Sequence, residues 1–336
     1  MSAPLLARVR VTALPPLDAT AYARHALHGE GVVWSEKNCY VDLWIELLHA
    51  LGHPPEAMLP FVIGADFEGD QWAFFKPSHD ELRDLYGVEV QELTVWRPLL
   101  DHAIEHLAAG KLIATEADAW WLPDTEGTDY RQKRSKTTIV LADIDVAAQR
   151  LGYFHNAGYY TLQGEDFVQT FGLAPGPHPA GLPLFAELIR QHPQEALSAG
   201  ALREASRQLW RKHLRRVPSG NPVARFAERF AADLPMLQAR GMDHYHAWAF
   251  GTVRQLGAAC ELAAANLRWL GAEAGAPDCP AAEAAFQRIA LDAKTLILKG
   301  ARAVASRKAF DPVVQLAPTT AAWSAAVAAL SERYGR

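Results

Sequence analysis

The chain has 336 residues, half of them hydrophobic and 21% charged, with a formal net charge of -5. That balance excludes wholesale disorder, leaves room for one large domain or two ordinary ones, and lacks the basic surface a nucleic-acid binder needs. Three cysteines, Cys39, Cys260 and Cys279, are too few for a disulfide framework and point to the reducing cytoplasm. The opening MSAPLLARVRVTALPP lacks the continuous apolar stretch of an export signal. No apolar run is read as reaching the roughly 20 residues of a bilayer span, so no membrane partner is expected.

In chain order, Tyr40, Leu43, Trp44, Leu47, Leu48 and Leu51 recur at helical spacing, which predicts an amphipathic helix over 39–51. Asn38 or Ser35 supplies a cap, and Gly52 with Pro54 a stop. Further helices are expected over 79–86 and 97–109. Strands follow over 112–122 and 137–145, then a hairpin over 151–162 pivoting near Ala157-Gly158. The Pro- and Gly-rich FGLAPGPHPAGLP marks a boundary. Beyond it, helical spacing predicts helices at 182–192, 194–216, 222–239, 243–270, 281–306 and 318–334. The expected fold is α+β over 1–172, a helix plus an antiparallel sheet, followed by an all-α helical domain over 182–336.

The chemistry centres on Cys39. A thiol is a nucleophile only as thiolate, and a helix N-terminus favours that charge. Cys39 sits at such a position; Cys260 in a helix and Cys279 in a Pro-rich loop do not, and are read as structural. Asp118, beside two alanines in a strand, needs a partner, for which Lys136 or Arg131 serves. Asp124, Asp129 and Tyr130 lie in the LPDTEGTDY loop.

The stretches NCYVDLWIELLHALG (38–52), AWWLPDTEGTDY (119–130), KTTIVLADID (136–145), YFHNAGYYTLQGEDF (153–167) and AFGTVRQLGAACELAAANLRWL (249–270) carry a resemblance. The chain resembles an uncharacterised bacterial family related to the N-terminal domain of the butirosin-biosynthesis acyltransferase and to papain-like cysteine peptidases. The resemblance implies a papain-like core and transfer of an acyl or aminoacyl group from an acyl carrier protein's phosphopantetheine thioester, through cysteine, to a small-molecule amine. No cofactor is then bound directly, and phosphopantetheine arrives on the partner. In such folds a histidine stands at a strand start and its Asn or Asp partner on the next strand. Here residues 134–138 read Arg-Ser-Lys-Thr-Thr, with no histidine. The base is therefore His155 or Lys136, and the orienting group Asn156 or Asp118. Tyr40, Trp121, Asp124, Tyr130, Arg254 and Glu261 are candidates to line a substrate pocket. A catalytically silent binding protein, or a cysteine peptidase or amidase, are the alternatives.

Other signals carry less. HAIEH at 102–106 matches a short zinc-protease pattern, yet Leu99, Leu100, Ala103, Ile104 and Leu107 explain that helix as ordinary packing, so no metal site is expected. Arg207, Arg211, Lys212, Arg215 and Arg216 form a basic helix end, either a solvated face or a docking patch for an acidic carrier protein. No Gly-rich phosphate loop is present.

Overall fold

The computed structural model describes residues 9–174 and 185–335. The linker reading at 175–183 lies outside them. The chain divides into two compact units that do not follow chain order. One comprises residues up to Ala26, Cys39–His53 and His79–Ala196; the other comprises Leu27–Asn38, Pro54–Ser78 and residues from Leu197 onward.

The first unit is α+β. Its strands are β1 (Arg10–Thr12), β2 (Val88–Glu92), β3 (Leu112–Asp118), β4 (Lys136–Asp145), β5 (Arg150–His155), β6 (Gly158–Gln163) and β7 (Ala186–Gln191). They form a 7-stranded sheet in the order β2-β7-β3-β4-β5-β6, with β1 also paired to β4. Every pairing is antiparallel. β4 has neighbours on both edges and is buried from Ile139 to Ile144, which fits its run of branched apolar residues. Its odd-numbered Ile139 and Leu141 join Ile113, Leu151, Tyr153 and Leu188 in a core. Helix α3 (Leu99–Ala108) contributes Leu100, Ala103, Ile104 and Leu107 to that core. The remaining helices of this unit are α1 (Cys39–Ala50), α2 (His79–Tyr86) and α4 (Glu165–Thr170).

Helix α1 is buried from Tyr40 to Leu48, polar Asp42 and Glu46 included. A helix covered on all sides belongs in the middle of its unit. Glu46 is satisfied there by the Tyr22 hydroxyl at 2.8 Å and the His25 N–H at 3.1 Å. The β5–β6 hairpin turns at Asn156-Ala157, with His155 opposite Gly158. Asn156 takes φ 43°, a left-handed conformation that Asn tolerates better than most residues.

The second unit carries α5 (Ala199–Leu214), α6 (Pro222–Arg240), α7 (Met242–Gly251), α8 (Val253–Gly271), α9 (Pro280–Ser306) and α10 (Pro312–Tyr334), with a 3-10 segment over Pro55–Gly64. Helix α8 is the most enclosed. Its Asn266 accepts from the Trp210 indole at 2.7 Å and donates to Ser206 at 2.9 Å and to the Glu56 carbonyl at 2.8 Å. Glu261 accepts the backbone N–H groups of Val33 and Trp34 at 2.6 and 2.9 Å. The Trp34 indole lies where Gly257 has no side chain; a Cβ there would sit 2.5 Å from the ring.

Several expectations are corrected. The helix expected over 182–192 is strand β7 from Ala186, paired between β2 and β3; a short apolar run does not separate the two by periodicity. The helix expected over 243–270 breaks at Thr252, which takes φ -123° and ψ -81° between α7 and α8. The last helix starts at Pro312, six residues early, because Asp311 caps it by accepting from Val313 and Val314 and Pro is at home in a first turn. By length and composition alone that helix would also pass as a membrane span, a test that the core helix of a soluble protein passes too. Its Trp323 packs edge-on to Phe286, and its Tyr334 stacks on Trp210.

Gly257→Val tests the packing of the second unit. Intruding on a well-packed aromatic costs about 1–3 kcal/mol, more than the few tenths of a kcal/mol that valine gains over glycine in helix propensity. Urea unfolding should show a lower midpoint; an unchanged or higher one would mean that Trp34 is loosely held.

Candidate functional site

The site lies wholly in the first unit and begins with a loop. Asp118 ends β3 and accepts the Trp120 N–H at 3.1 Å, starting a 3-10 turn over Ala119–Trp121. A second such turn, Pro123–Thr125, is held by the Thr125 hydroxyl donating to the carbonyls of Leu122 and Ala119. These turns carry the Asp124 side chain inward until it is 2% exposed. One carboxylate oxygen accepts from the Tyr153 hydroxyl at 2.5 Å and the other meets His155 Nδ1 at 2.6 Å.

His155 ends β5 and its side chain is 1% exposed. A carboxylate only accepts, so Nδ1 carries the proton, and in the neutral ring Nε2 is the acceptor. The Thr137 hydroxyl lies 2.7 Å from Nε2, within hydrogen-bond reach. Thr137 is the second residue of β4. Strand alternation puts it on the face of Ile139 and Leu141, and Leu141 stands opposite Tyr153.

Cys39 opens α1, which packs on β4, β5 and β6. Burial pushes its thiol above the ordinary range. Hydrogen bonding from the Thr137 hydroxyl and the Thr138 backbone N–H pulls it back down, while Asp42 adds to the rise. Thr137, His155 and Asp124 thus form one hydrogen-bonded series, and Cys39 opens the helix that packs on the same strands.

The chain as a whole matches a known family. Residues 23–191 match the DUF1839 N-terminal domain and residues 199–332 match the DUF1839 C-terminal domain. The chain belongs to the DUF1839 family. Among curated proteins no match is found.

The other candidate residues of this DUF1839 protein fall into separate groups. Asp118 pairs with Arg134 at 2.5 Å, neither Lys136 nor Arg131 serving it, and Lys136 pairs with Glu116 at 2.6 Å on the surface. Asn156 is the hairpin turn. Tyr130 donates to Asp166 at 3.0 Å, and Arg131 pairs with the same carboxylate while stacking on Trp121 at 4.2 Å. That pairing pins the Asp124 loop to α4. Tyr40 donates to buried Glu187 at 3.1 Å and meets His79 at 2.9 Å. In the second unit Glu261 and Arg254 both hold the 27–38 segment, Arg254 through the Glu36 carbonyl at 3.2 Å. Also there, Arg207 of the basic helix end is taken up by Asp278 at 3.2 Å, and Arg211 lies 3.8 Å from Glu204.

His102 and His106 stack with their ring centroids 6.2 Å apart, and Glu105 is occupied by Arg97. Among the described residues no three His, Cys, Asp or Glu side chains gather as a metal ligand set. Cys260 is fully buried with its thiol pushed far up, and burial also raises Cys279.

Two partners of the His155–Asp124 pair, Thr137 and Tyr153, carry no sequence signal. A threonine in a strand is ordinary, and Tyr153 reads as core. Asp124, a candidate to line a substrate pocket, is buried as the partner of His155. The available signal was an Asp in a Pro-initiated turn ahead of a strand pair that ends in histidine.

Asp124→Leu leaves His155 Nδ1 and the Tyr153 hydroxyl unpaired in the core, which should cost about 2–4 kcal/mol. Lys136→Met, which breaks only an exposed pair, should change stability by under about 1 kcal/mol. Urea denaturation of both variants checks the contrast, and equal effects would mean that the Asp124 cluster is open to water.

Proposed function

We propose that this DUF1839 protein is a cysteine-dependent acyl or aminoacyl transferase with a papain-like first unit. It takes its acyl group from the phosphopantetheine thioester of an acyl carrier protein and delivers it to a small-molecule amine. The observation that carries the reading is the Cys39 thiol at the start of a helix packed on β4 and β5, which carry Thr137 and the His155 that buried Asp124 orients. The chain order supports it too, since a helix led by cysteine precedes an antiparallel sheet. The base then stands on β5 in place of the β4 start, and its carboxylate partner comes from the loop before β4.

In this scheme His155 takes the thiol proton and Asp124 stabilises the imidazolium. The Cys39 sulfur attacks the thioester carbonyl, the bond to the pantetheine sulfur breaks, and His155 returns the proton to that leaving thiolate. The acceptor amine then attacks the Cys39 thioester, loses its proton to His155, and expels the Cys39 thiolate. Exchange of one thioester for another is close to balanced, which suits a thiol that burial keeps protonated at rest. No cofactor is bound directly, the partners include neither nucleic acid nor membrane, and the setting is cytoplasmic.

A second reading, a catalytically silent binding protein, is favoured by the engagement of His155 Nε2 with a hydroxyl and by the raised thiol pKa. Intact mass spectrometry after mixing with an aminoacylated or acylated carrier protein separates the two. The transferase should gain one acyl mass that hydroxylamine removes and that Cys39→Ala lacks. No adduct with any acylated carrier would favour the silent protein, and turnover of a peptide substrate would favour a peptidase.

A further inference from the structure

We propose that Glu187, Tyr40 and His79 form a binding subsite for a primary ammonium group, with the Glu187 carboxylate as its anchor. The inference does not rest on Cys39 being a working thiol, although Tyr40 places the subsite next to it in the chain.

Strand alternation sets the face. Leu188 of β7 joins the core that α3 covers, so its neighbour Glu187 points to the opposite side of the sheet, where Tyr40 of α1 meets it. There the carboxylate is 5% exposed. Directly opposite Glu187, and therefore on its face, stand Glu92 of β2 and Ala114 of β3, a second acid and a methyl group. Among the described residues no lysine or arginine pairs with Glu187. Its partners are the Tyr40 hydroxyl at 3.1 Å and His79 Nε2 at 3.3 Å. A buried carboxylate with no permanent cation is costly, and an imidazole is charged over only part of the neutral range. The Asp124 pair, also built on a tyrosine and a histidine, is sealed, with His155 1% exposed. Here the histidine is 33% exposed, so solvent reaches the carboxylate when that ring turns aside.

The place of His79 Nε2 defines the ligand. Tyr40 spends its hydroxyl proton on Glu187 Oε2, and burial with the Glu187 charge holds that phenol protonated. Its oxygen therefore faces His79 as an acceptor, with Nε2 2.9 Å from it and 3.3 Å from Glu187 Oε1. A single N–H cannot point well at two acceptors, whereas an ammonium carries three donors. An ammonium nitrogen at that point would donate to the Tyr40 oxygen and to Oε1 together and supply the positive charge. One turn along α1, Trp44 stands edge-on to Tyr40 with ring centroids 6.3 Å apart. Its buried indole N–H has no hydrogen-bond partner among the described residues. An unpaired buried donor calls for an acceptor, so the probe below pairs an ammonium with a carbonyl.

The test uses the full chain isotopically labelled at histidine Cε1, with glycinamide hydrochloride as the probe. The His79 signal is identified by its absence from His79→Gln. Glycinamide should move that signal along a saturating curve, and neither acetamide nor potassium chloride at equal ionic strength should move it. Glu187→Gln keeps the shape and the Tyr40 bond but removes the charge, and should weaken the apparent affinity at least about 10-fold. Tyr40→Phe, which removes the hydroxyl, should weaken it about 5-fold.

A shift reproduced by potassium chloride would overturn the subsite, as would a Glu187→Gln titration that overlays the wild type. Saturation confined to other histidines would overturn it too. Should Glu187→Gln fail to fold, Glu187→Asp, which withdraws the carboxylate by one methylene, takes its place with the same expected direction. Saturation at His79 without an acyl adduct on Cys39 leaves the subsite standing and removes the transferase reading. An adduct without a His79 response does the reverse.

Discussion

The first unit is organised around one buried carboxylate. Asp124 sits among core side chains with its side chain 2% exposed, where an unpaired charge would cost several kcal/mol. It stays because Tyr153 and His155 each take one oxygen. That requirement constrains much else. The 119–125 turns must close for the carboxylate to reach inward, and the Tyr130, Arg131 and Asp166 contacts hold them closed. The two residues it meets are alternate positions of β5, so they share a face only if the strand keeps its register. The same pairing sets the proton on His155 Nδ1 and leaves Nε2 as an acceptor. A structural necessity thus prepares the chemistry.

Two boundaries run through the chain and do not coincide. The family match divides it near residue 195, while the compact units assign Leu27–Asn38 and Pro54–Ser78 to the helical unit. The physical reason is visible for the first segment. Glu261 accepts two successive backbone N–H groups from it, and Gly257 leaves a hollow for Trp34. Asn38, its last residue, donates to the Phe75 carbonyl. The segment that leads covalently into Cys39 is therefore ordered by side chains far along the sequence, which local pattern cannot reveal.

What was legible in the sequence follows from that distinction. The helix led by Cys39, strand β4 and the 151–162 hairpin are each declared by local periodicity, and the structure has them within a few residues. AELIRQ reads locally as helix and becomes strand β7 only by having β2 and β3 to pair with. His155 and Asp124 were both noticed, yet their union was not, because 31 residues separate them and only strand register brings them together. Lys136 and Asp118 stand out for their charge, yet Lys136 is matched across the strands by Glu116 of β3, and Asp118 by Arg134 just ahead of β4. Charge in a strand is an unreliable guide when a cross-strand partner is one register step away.

The same strand alternation divides the buried groups between the two faces of the sheet. Thr137 and His155 lie on the face of Ile139, Leu141 and Tyr153, where α3 supplies the covering core. Phe154 lies on the opposite face against Tyr22, which in turn bonds Glu46 of α1. Burial raises the Cys39 thiol, and a protonated sulfur requires a proton acceptor before it can attack. Helix dipole and backbone N–H groups stabilise a thiolate once formed, but they accept no proton. The cysteine reading therefore depends on the imidazole that Asp124 orients at the end of β5.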